Sequence, residues 1–456
     1  MAASRTPRAA DTPVLPDAPA PHAGVFAVAY SGGRDSTALL HLSARRAQAL
    51  GLRVLALHVH HGLSAHADAW LAHCESQCQA WAAQGLPLSF HCRRLAGAPA
   101  AGQSIEAWAR EGRYRALSEM AGQGGADLLL LAQHRRDQAE TWLLQALRGA
   151  GAAGLAAMPA LQTREQGLVW ARPWLDQPRE AIEAYLAEQG LSFIDDDSNG
   201  DVRYARNRLR LQVWPGLSAA FPVAEAALSQ SAQWAQQALA LQRELAAQDL
   251  PPLCSDQGLD VAGLLGLSPA RASNALRAWL QQTLGQAAPA SLVQRLLAEL
   301  PGRRVGAWPC GAGELRLYRG RLCLGAAAAR DLQAEFGPLD LSRPGFHALP
   351  QAGGGWWVEA AGEGEAGLPA PLLQAVQARP RQGGEQFQAQ PRGLPRSLKK
   401  CFQAATVPAW QRSGPLLFAG DRLLWVPGLG ADARAWAEAG APGLKLRWQA
   451  DSVPAL

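Results

Sequence analysis

The chain has 456 residues, of which 48% are apolar and 18% are charged, so it can form roughly two to four globular domains of ordinary size. Its net charge of +5 permits a nucleic-acid partner without requiring one, and it contains no apolar run of the ~18 residues that a membrane-spanning helix needs. Seven cysteines without a CxxC pair argue against a zinc ribbon and a disulfide scaffold, and they are typical of a reducing cytoplasm, where we expect the protein to act.

The first part of the chain has the pattern of an α/β domain. Residues 1–23 are rich in Ala and Pro and lack the apolar stretch of a secretory signal, so they are predicted to be a disordered extension. After Gly24, short apolar runs alternate with helical patterns. The predicted strands cover 25–30, 54–59, 88–92, 127–132 and 168–174, with helices up to about 50 and at 65–84, 104–121, 137–148 and 181–189. This alternation predicts a parallel sheet that binds ligands at the carboxyl ends of its strands.

The rest of the chain has a different character. An Ala-, Leu- and Gln-rich stretch predicts a separate helical domain with a small hairpin at about 303–325, and a Gly- and Pro-rich stretch predicts a linker or a loop-rich sheet edge. Short strands then recur between turns. The predicted domains are the extension 1–23, an α/β domain 24–217, a helical domain 218–328, a linker 329–374 and a small, basic, β-rich domain 375–456.

The segment Ser31-Gly32-Gly33-Arg34-Asp35-Ser36 stands between the first predicted strand and the first predicted helix. Glycines let a backbone approach a ligand closely, and successive N–H groups at a helix N-terminus bind anions. Asp35 would repel a bare phosphate, but it suits Mg²⁺ held against a pyrophosphate. The alternative is an ordinary strand-to-helix turn capped by a serine.

This loop is not a Walker A loop, because it lacks the lysine, and it is not a GxGxxG dinucleotide motif. It resembles the PP-loop of ATP pyrophosphatases, which cleave ATP to AMP and pyrophosphate in order to adenylate a carbonyl oxygen. Further motifs lie at 60–64, 109–114, 132–141, 148–155, 172–175, 195–210, 381–385, 398–400, 410–412 and 426–430. In this order they resemble the motifs of the tRNA(Ile)-lysidine synthases.

The resemblance implies an enzyme that attaches the ε-amine of lysine to carbon 2 of the wobble cytidine in the CAU anticodon of tRNA(Ile). ATP would adenylate the base first, AMP and diphosphate would be released, and decoding would change from Met to Ile. The implied cofactors are ATP and Mg²⁺, and the implied partners are tRNA(Ile) and L-lysine. The sequence indicates no protein partner.

The resemblance also implies site residues. Those for ATP are Ser31, Gly32, Gly33, Arg34, Asp35 and Ser36; the catalytic residues are Asp35, Arg113, His134 and Asp137; and the magnesium ligands are Asp35 and Asp137. Two positions depart from the family pattern, because Gln133 replaces a histidine and Arg136 replaces an aspartate. The number of metal ions therefore stays open, and the sequence predicts that Arg136→Asp is tolerated. Alternatives are a solvated helix face for Arg113 and a backbone contact for His134.

Basic residues supply the candidates for tRNA binding. They are Arg206, Arg208 and Arg210 in the first domain, and Arg381, Lys399 and Lys400 in the last. For the first three, a salt-bridged junction with the acidic run 195–197 is an equal alternative. The last domain holds 11 basic and five acidic residues, which predicts a module that binds the tRNA backbone. Deleting the chain from about residue 375 is then expected to weaken tRNA binding.

Two other functions remain open from the sequence. One is a PP-loop tRNA thiolase, whose relatives use cysteine pairs or a cluster. The cysteines here give it little support, because Cys74 and Cys78 are best explained as a buried thiol pair, and neither Cys74 nor Cys92 is expected near the ATP-facing strand ends. The other is a tRNA-binding protein that Arg136 has deprived of catalysis.

Overall fold

The computed structural model describes residues 24–450 except 63, 65, 98–104, 165–166, 196–199, 312, 326–334, 363–364, 408–411, 413 and 439–440. The predicted extension 1–23 and most of the acidic run near residue 196 therefore lie outside the described residues. The chain divides into two compact units, Met1–Leu241 and Gln242–Leu456, which are taken in turn.

The first unit is built on one sheet. Its described strands are β1 (Val25–Ala29), β2 (Arg53–His60), β3 (Leu88–Arg94), β4 (Leu128–Leu130), β5 (Leu161–Thr163) and β6 (Val169–Ala171). They lie in the order β3-β2-β1-β4-β6-β5, and every adjacent pair is parallel except β5 with β6. Strand order reverses at β1, which has β2 on one side and β4 on the other. The carboxyl ends of β1 and β4 thus border the crevice where such sheets bind ligands.

Helices cover both faces of this sheet, which confirms the predicted α/β fold. The described helices of this part of the chain are α1 (Arg34–Leu50), α2 (Ala67–Ala83), α3 (Ile105–Gln123), α4 (Arg135–Leu147), α5 (Ala152–Leu155), α6 (Arg179–Glu188), α7 (Ala205–Arg208), α8 (Trp214–Ala220) and α9 (Ala224–Asp249). Alternate residues of β1 face opposite sides. Phe26 and Val28 join a core with residues of α1, α2 and α6, whereas Val25 and Ala27 join a core with residues of α3. Burial on both faces explains the continuous apolar runs.

The predicted basic stretch 203–214 is a helical connection. Helix α7 continues through one π-helical turn, Leu209–Val213, into α8, which begins at the buried Trp214. A π-turn shifts the helical register, so arginines spaced two apart are not distributed as in a regular helix. The boundary between the two units falls within α9.

In the second unit, the predicted helical domain contains more strand than the sequence suggested. Helices α10 (Val261–Gly266), α11 (Pro269–Leu284) and α12 (Ala290–Glu299) share a core with an antiparallel sheet. Its strands are β7 (Cys254–Ser255), β8 (Gly258–Asp260), β9 (Val305–Cys310), β10 (Gly313–Tyr318) and β11 (Arg321–Gly325), in the order β7-β8-β11-β10-β9. The predicted hairpin is the β9–β11 part of this sheet.

The C-terminal part is rich in strands, as predicted. Its described elements are β12 (Phe336–Leu339), β13 (Gly345–Leu349), β14 (Gly354–Ala360), β15 (Val376–Arg379), β16 (Gln386–Phe387), β17 (Arg396–Ser397), α13 (Leu398–Ala404), β18 (Leu416–Ala419), β19 (Arg422–Val426), β20 (Gly430–Ala431) and β21 (Leu444–Ala450). The strands pair as sheets β12-β15-β18-β19-β20, β13-β14-β21 and β16-β17.

The prediction of a linker at 329–374 is wrong for the described part of that segment. Strand β12 pairs with β15, and the whole of β14 pairs with β21, so residues on both sides of 375 form the same sheets. Trp356 and Val358 of β14 are buried in the core of this region. A truncation at 375 would therefore divide two sheets, and it cannot isolate a basic module from an intact remainder.

The loop after β1 supplies a test of the fold. Gly32 has φ +83°, and a methyl group there would lie 2.5 Å from Ile194 Cδ1 and 2.7 Å from Cys74 Sγ. We expect Gly32→Ala to lower the free energy of unfolding by about 2 kcal/mol or more, because left-handed strain adds to overpacking. Chemical denaturation of the full chain measures this loss.

Gly33→Ala is the matched control, because Gly33 has φ −72° and its nearest contact for a methyl group is Ser31 Oγ at 3.5 Å. It should change stability by less than about 1 kcal/mol. Equal destabilisation by the two substitutions would contradict the packing described for Gly32.

Candidate active site

The loop Ser31–Ser36 is held closed by its own serines. The Ser31 N–H donates to Ser36 Oγ over 3.2 Å, and the two hydroxyl oxygens lie 3.0 Å apart. The Ser36 hydroxyl donates to the Gly33 carbonyl over 3.0 Å, and the Gly33 N–H donates to Ser31 Oγ over 3.3 Å. The loop is thus pre-formed at the N-terminus of α1, where backbone N–H groups and the helix dipole attract anions.

Arg34, predicted to contact ATP, is engaged on another side of the helix. Its guanidinium forms an ion pair with Glu183 of α6 and lies 5.1 Å from the centre of the Phe193 ring. The Arg34 side chain therefore contacts Glu183 and Phe193 outside the loop. In this arrangement, Arg34 can bind a phosphate through its backbone N–H only.

Three predicted residues meet where β1 and β4 end. His134 Nε2 lies 3.7 Å from Asp35 Oδ2 and 3.5 Å from Asp137 Oδ2. His134 is buried, and Asp35 Oδ1 is buried and accepts no hydrogen bond from any residue that the structure describes. Burial raises the pKa of Asp35, and the nearby charge of Asp137 adds to this effect against the opposing influence of His134. Two carboxylates and a buried imidazole therefore lie together at the carboxyl ends of β1 and β4.

The position of His134 follows from its place at the start of α4. Its ring accepts the Arg136 N–H at Nδ1, while Asp137 Oδ2 accepts the His134 N–H, which together form a capping box. The helix start therefore sets both side chains. His134 therefore makes the backbone contact that was the alternative to a catalytic role, through Nδ1. Its other ring nitrogen, Nε2, still lies near both carboxylates.

Two arginines of the α7 connection reach these acids. Arg210 donates to Asp137 Oδ1 and to Glu140 Oε1, each over 2.7 Å. Arg206 donates to Thr141 Oγ1 over 2.6 Å, and its Nε lies 3.6 Å from Glu140 Oε2. Arg206 and Arg210 are therefore held at the crevice in this structure. Asp196 and Asp197, from the alternative of a salt-bridged junction, lie outside the described residues.

Glu140 is a site residue that the sequence analysis missed. Its side chain is completely buried, and burial raises its pKa although Arg210 opposes the shift. Burial acts in the same direction on Asp137, but His134 and Arg210 outweigh it and hold the pKa of Asp137 below its usual value. A glutamate three positions after Asp137 on a helix was the signal that could have identified it.

Both departures from the family pattern have local partners. Gln133 Oε1 accepts a hydrogen bond from Arg172 Nε over 3.1 Å. Arg136 Nε donates to Glu225 Oε2 over 2.9 Å, while Arg135 donates to the other oxygen of Glu225. The charge reversal at position 136 is thus compensated by Glu225 outside the crevice, and Arg136 does not form an ion pair with Asp35 or Asp137.

Arg113 lies on α3 beside aromatic and basic groups. Its guanidinium is 5.6 Å from the centre of the Tyr114 ring, and Arg110 stands 4.8 Å from the same ring. Burial lowers the pKa of Arg113, with Arg110 and Arg206 contributing like charge. Within the described part of the chain, Arg113 forms no ion pair with a carboxylate, and its side chain is only partly exposed.

The donor set around Asp35 fits magnesium. Mg²⁺ prefers carboxylate oxygens, keeps several waters and is usually bound through one or two carboxylates together with substrate phosphates. Asp35 Oδ1 is an unpartnered carboxylate oxygen beside a phosphate-type loop. Asp137 is also near, but both of its oxygens have protein partners. Asp35 is therefore the more direct candidate.

The expected separation of Cys74 from the ATP-facing loop is wrong. Cys74 packs beneath Gly32, close enough to exclude a methyl group there. The predicted buried pair is nevertheless correct, because Cys74 and Cys78 are both buried and free, and burial raises each thiol's pKa to about 12. Such thiols stay protonated and are poor nucleophiles. Cys92 is exposed on β3.

The remaining candidates for tRNA binding are exposed side chains with few protein contacts. Arg208 is exposed and bonds only weakly to the Val202 carbonyl, at 3.4 Å. Lys399 and Lys400 are exposed at the start of α13. Arg381 is also exposed, with its guanidinium 5.3 Å from the centre of the Phe402 ring. These four side chains remain accessible to an anionic partner.

Family models match three parts of the chain. A PP-loop domain matches residues 13–217, a TilS substrate binding domain matches 259–323, and a TilS substrate C-terminal domain matches 376–448. Curated relatives cover nearly the whole chain. The tRNA(Ile)-lysidine synthase of Ralstonia nicotianae is 43% identical over 90% of this chain and 89% of its own. The chain belongs to the tRNA(Ile)-lysidine synthase family.

A second lysidine synthase, from Burkholderia pseudomallei, is 41% identical over 94% of both chains. Among solved structures, a TilS C-terminal domain matches 26% of this chain and 98% of its own at 27% identity and TM-score 0.21. The U34-tRNA thiolase NcsA from Methanococcus maripaludis matches 46% of this chain and 71% of its own, at 12% identity and TM-score 0.38. The resemblance to the lysidine synthase family is confirmed by the curated relatives.

Membership in this family makes the chain an enzyme with a PP-loop ATP-binding domain. None of the helices in the described ranges is both long and apolar enough to span a bilayer.

The environment of Arg136 reverses the expectation from sequence. Arg136→Asp would place a carboxylate against Glu225, whose side chain is only 12% exposed. We expect a loss of about 1–3 kcal/mol in the free energy of unfolding, since the mostly buried Glu225 loses one of its two arginine partners and meets a like charge. The measurement is denaturant unfolding monitored by circular dichroism.

Arg46→Asp serves as the control, because Arg46 is exposed on α1 and its substitution changes the net charge by the same amount. The Arg46→Asp substitution should lower the free energy of unfolding by less than about 1 kcal/mol. Wild-type stability in the Arg136→Asp variant would show that Glu225 is not the partner that compensates the reversal.

Proposed function

We propose that this protein ligates L-lysine to carbon 2 of the wobble cytidine in the CAU anticodon of tRNA(Ile), using ATP and magnesium. The product decodes Ile codons instead of Met codons. The observation that carries this proposal is the convergence of a closed PP-loop, an Asp35 oxygen without a partner among the described residues and the His134–Asp137 pair at one crevice. A lysidine synthase relative matches 94% of the chain.

The chemistry divides into two displacements. Oxygen 2 of the cytosine attacks the α-phosphorus of ATP, and diphosphate leaves with the electrons of the broken P–O bond. The ε-amine of lysine then attacks carbon 2, and AMP leaves with that oxygen. Adenylation is needed because a carbonyl oxygen is a poor leaving group and a phosphate ester oxygen is a good one. The amine must lose a proton, so a base is required near carbon 2.

The loop residues bind the leaving diphosphate. Ser31–Ser36 present backbone N–H groups at the start of α1, which stabilise negative charge as the P–O bond breaks. Asp35 would hold Mg²⁺, which neutralises charge on the phosphates. His134 lies between Asp35 and Asp137, where its ring orients both carboxylates and is the nearest group able to move a proton.

Arg113 supplies positive charge without a competing carboxylate among the described residues. A desolvated guanidinium has five donors and matches phosphate geometry. We assign it to the α-phosphate, where charge accumulates in the adenylation step. Arg210 and Arg206 instead hold Asp137 and Glu140, so in this proposal they position the acidic groups of the crevice.

The two other functions become outcomes of one assay. A thiolase would replace oxygen by sulfur, and a non-catalytic binder would release neither AMP nor diphosphate. The high pKa of Cys74 and Cys78 disfavours sulfur transfer by these two thiols.

The first test combines product analysis with one substitution. Full-length protein is incubated with tRNA(Ile) transcript, ATP, Mg²⁺ and lysine, and the wobble nucleoside is analysed by mass spectrometry. The wild type should yield cytidine carrying lysine with loss of water. Asp35→Asn should lower the rate of tRNA-dependent AMP release about 10²-fold or more, because a neutral amide holds Mg²⁺ poorly and the phosphates then lack a cation that neutralises their charge.

Asp256→Asn is the matched control, since Asp256 is an exposed aspartate in the second unit. It should retain the wild-type rate, and both variants should keep tRNA affinity within about twofold. Undiminished turnover of Asp35→Asn at saturating Mg²⁺ would remove the metal role from Asp35.

The second test concerns the exposed cations of the C-terminal part. Lys399→Gln/Lys400→Gln should weaken tRNA binding and reduce the slope of log affinity against log salt by roughly 0.7–0.9 for each phosphate that the protein no longer neutralises. Filter binding at several salt concentrations measures the slope. These substitutions leave every sheet intact, which a truncation at 375 does not.

Arg46→Gln/Arg53→Gln is the control, because both arginines are exposed in the first unit and their substitution removes the same amount of positive charge. We expect a smaller change in slope for this pair. Equal slopes for the wild type and the Lys399/Lys400 variant would show that this face does not contact the tRNA backbone.

A further inference from the structure

A cavity of about 810 Å³ lies within the C-terminal part of the second unit, apart from the crevice of the first. Its volume falls in the ~300–1,000 Å³ range of small-ligand sites. Its walls come from β14, β16, α13, β19, β20 and β21, so several of the sheets described above contribute to it. No step of the proposed reaction uses it.

Aromatic side chains form much of the lining. Trp357, Trp425 and Trp436 line the cavity, with Phe387 almost completely buried beside them. Each indole N–H already has a protein acceptor: Gln449 Oε1 at 2.7 Å for Trp357, the Leu446 carbonyl at 3.0 Å for Trp425 and the Ala431 carbonyl at 3.2 Å for Trp436. Trp425 is almost completely buried, as Phe387 is, so Trp357 and Trp436 supply the accessible ring surface, which suits stacking and not hydrogen bonds.

The charge of the lining selects an anion. Arg396 and Arg447 line the cavity, are exposed, and form no ion pair with any residue that the structure describes. Lys445 also lines it and stands 2.5 Å from Glu365. Glu359 contributes negative charge, but its direct cross-strand neighbour is Lys445. The uncompensated charge is therefore positive and lies beside ring surfaces.

Flat stacking surfaces next to arginines match one nucleotide chemistry. In a duplex the base faces are stacked on one another and only base edges and the backbone are outward, so an aromatic side chain cannot stack on a base within it. An unpaired nucleotide exposes both its base face and its phosphate. We infer that this cavity binds an unpaired nucleotide of the tRNA substrate, with the base against the tryptophans and the phosphate on Arg396 and Arg447. The inference rests on the proposed function for the identity of the RNA.

The test compares two variants of Trp436 in the full-length protein. Trp436→Leu and Trp436→Phe both remove the N–H bond to Ala431, but only the phenylalanine keeps a ring. The probe is a fluorescein-labelled single-stranded RNA tetranucleotide, measured by anisotropy. Trp436→Leu should bind it about tenfold more weakly than Trp436→Phe, since stacking on an aromatic side chain contributes ~1–3 kcal/mol per base. Thermal melting of both variants reports folding.

A charge variant examines the phosphate interaction separately. Arg447→Gln should lower the salt slope for the tetranucleotide by roughly 0.7, the value for one phosphate of a single strand. Arg343→Gln is the control, because Arg343 is an exposed arginine of the same part of the chain that does not line the cavity. Its slope should equal that of the wild type.

Three results would overturn the inference. Two are an equal tetranucleotide affinity of the leucine and phenylalanine variants and an unchanged salt slope in Arg447→Gln. The third concerns a tetraglutamate peptide: the wild type binds it as tightly as the RNA, and Trp436→Leu loses that binding. The last would assign the cavity to an acidic protein segment. Failure of the wild type to form lysidine would count against the proposed function, and the tetranucleotide comparison would still decide whether the cavity binds RNA.

Discussion

Two buried carboxylates on one helix impose the main constraint on the first unit. Asp137 and Glu140 of α4 cannot remain charged in the interior without partners, and the partners come from a distant part of the chain, Arg206 and Arg210. The connection α7–α8 must therefore dock on α4. In docking it completes the crevice wall beside His134, so the electrostatic requirement that stabilises the fold also assembles the site.

The same constraint explains why Asp35 stands apart from the other acids. Asp137 and Glu140 form ion pairs with arginines, whereas Asp35 forms none with an arginine in the described part of the chain. Asp35 Oδ1 and Glu140 Oε2 are both buried without a hydrogen bond from a described residue, but Glu140 Oε2 lies 3.6 Å from Arg206 Nε. A native protein rarely leaves a buried carboxylate oxygen without a partner unless a ligand or ion supplies it. The distribution of arginines thus distinguishes acids that maintain the crevice from the acid that is available to a cation. Sequence motifs alone assign Asp35 and Asp137 the same role.

Much of the first unit could be predicted because its strands are buried on both faces and its helices are amphipathic. The β1 run and the glycines after it specify the loop locally, so Ser31–Ser36 lies in its expected place. Glu140 and Glu225 could not be identified in the same way. Their roles depend on which arginine reaches them across the fold, and spacing along the chain carries no information about such contacts. The expectation for Arg136 is reversed for this reason, since its compensating acid lies on α9.

In the C-terminal part, the sequence pattern did not predict all strands, and the count of basic residues did not show which charges are available to RNA. The sequence predicts a linker over residues 329–374 because glycines and prolines surround the short apolar run at Trp356, yet strand pairing with β21 needs only backbone groups and one buried face. A count of basic residues treats the arginines of both units alike. In the structure, Arg206 and Arg210 neutralise internal acids, while Lys399 and Lys400 stay exposed. Only charges without internal partners can release counterions on binding RNA, so the exposed tail cations, not the total charge, determine where a backbone can bind.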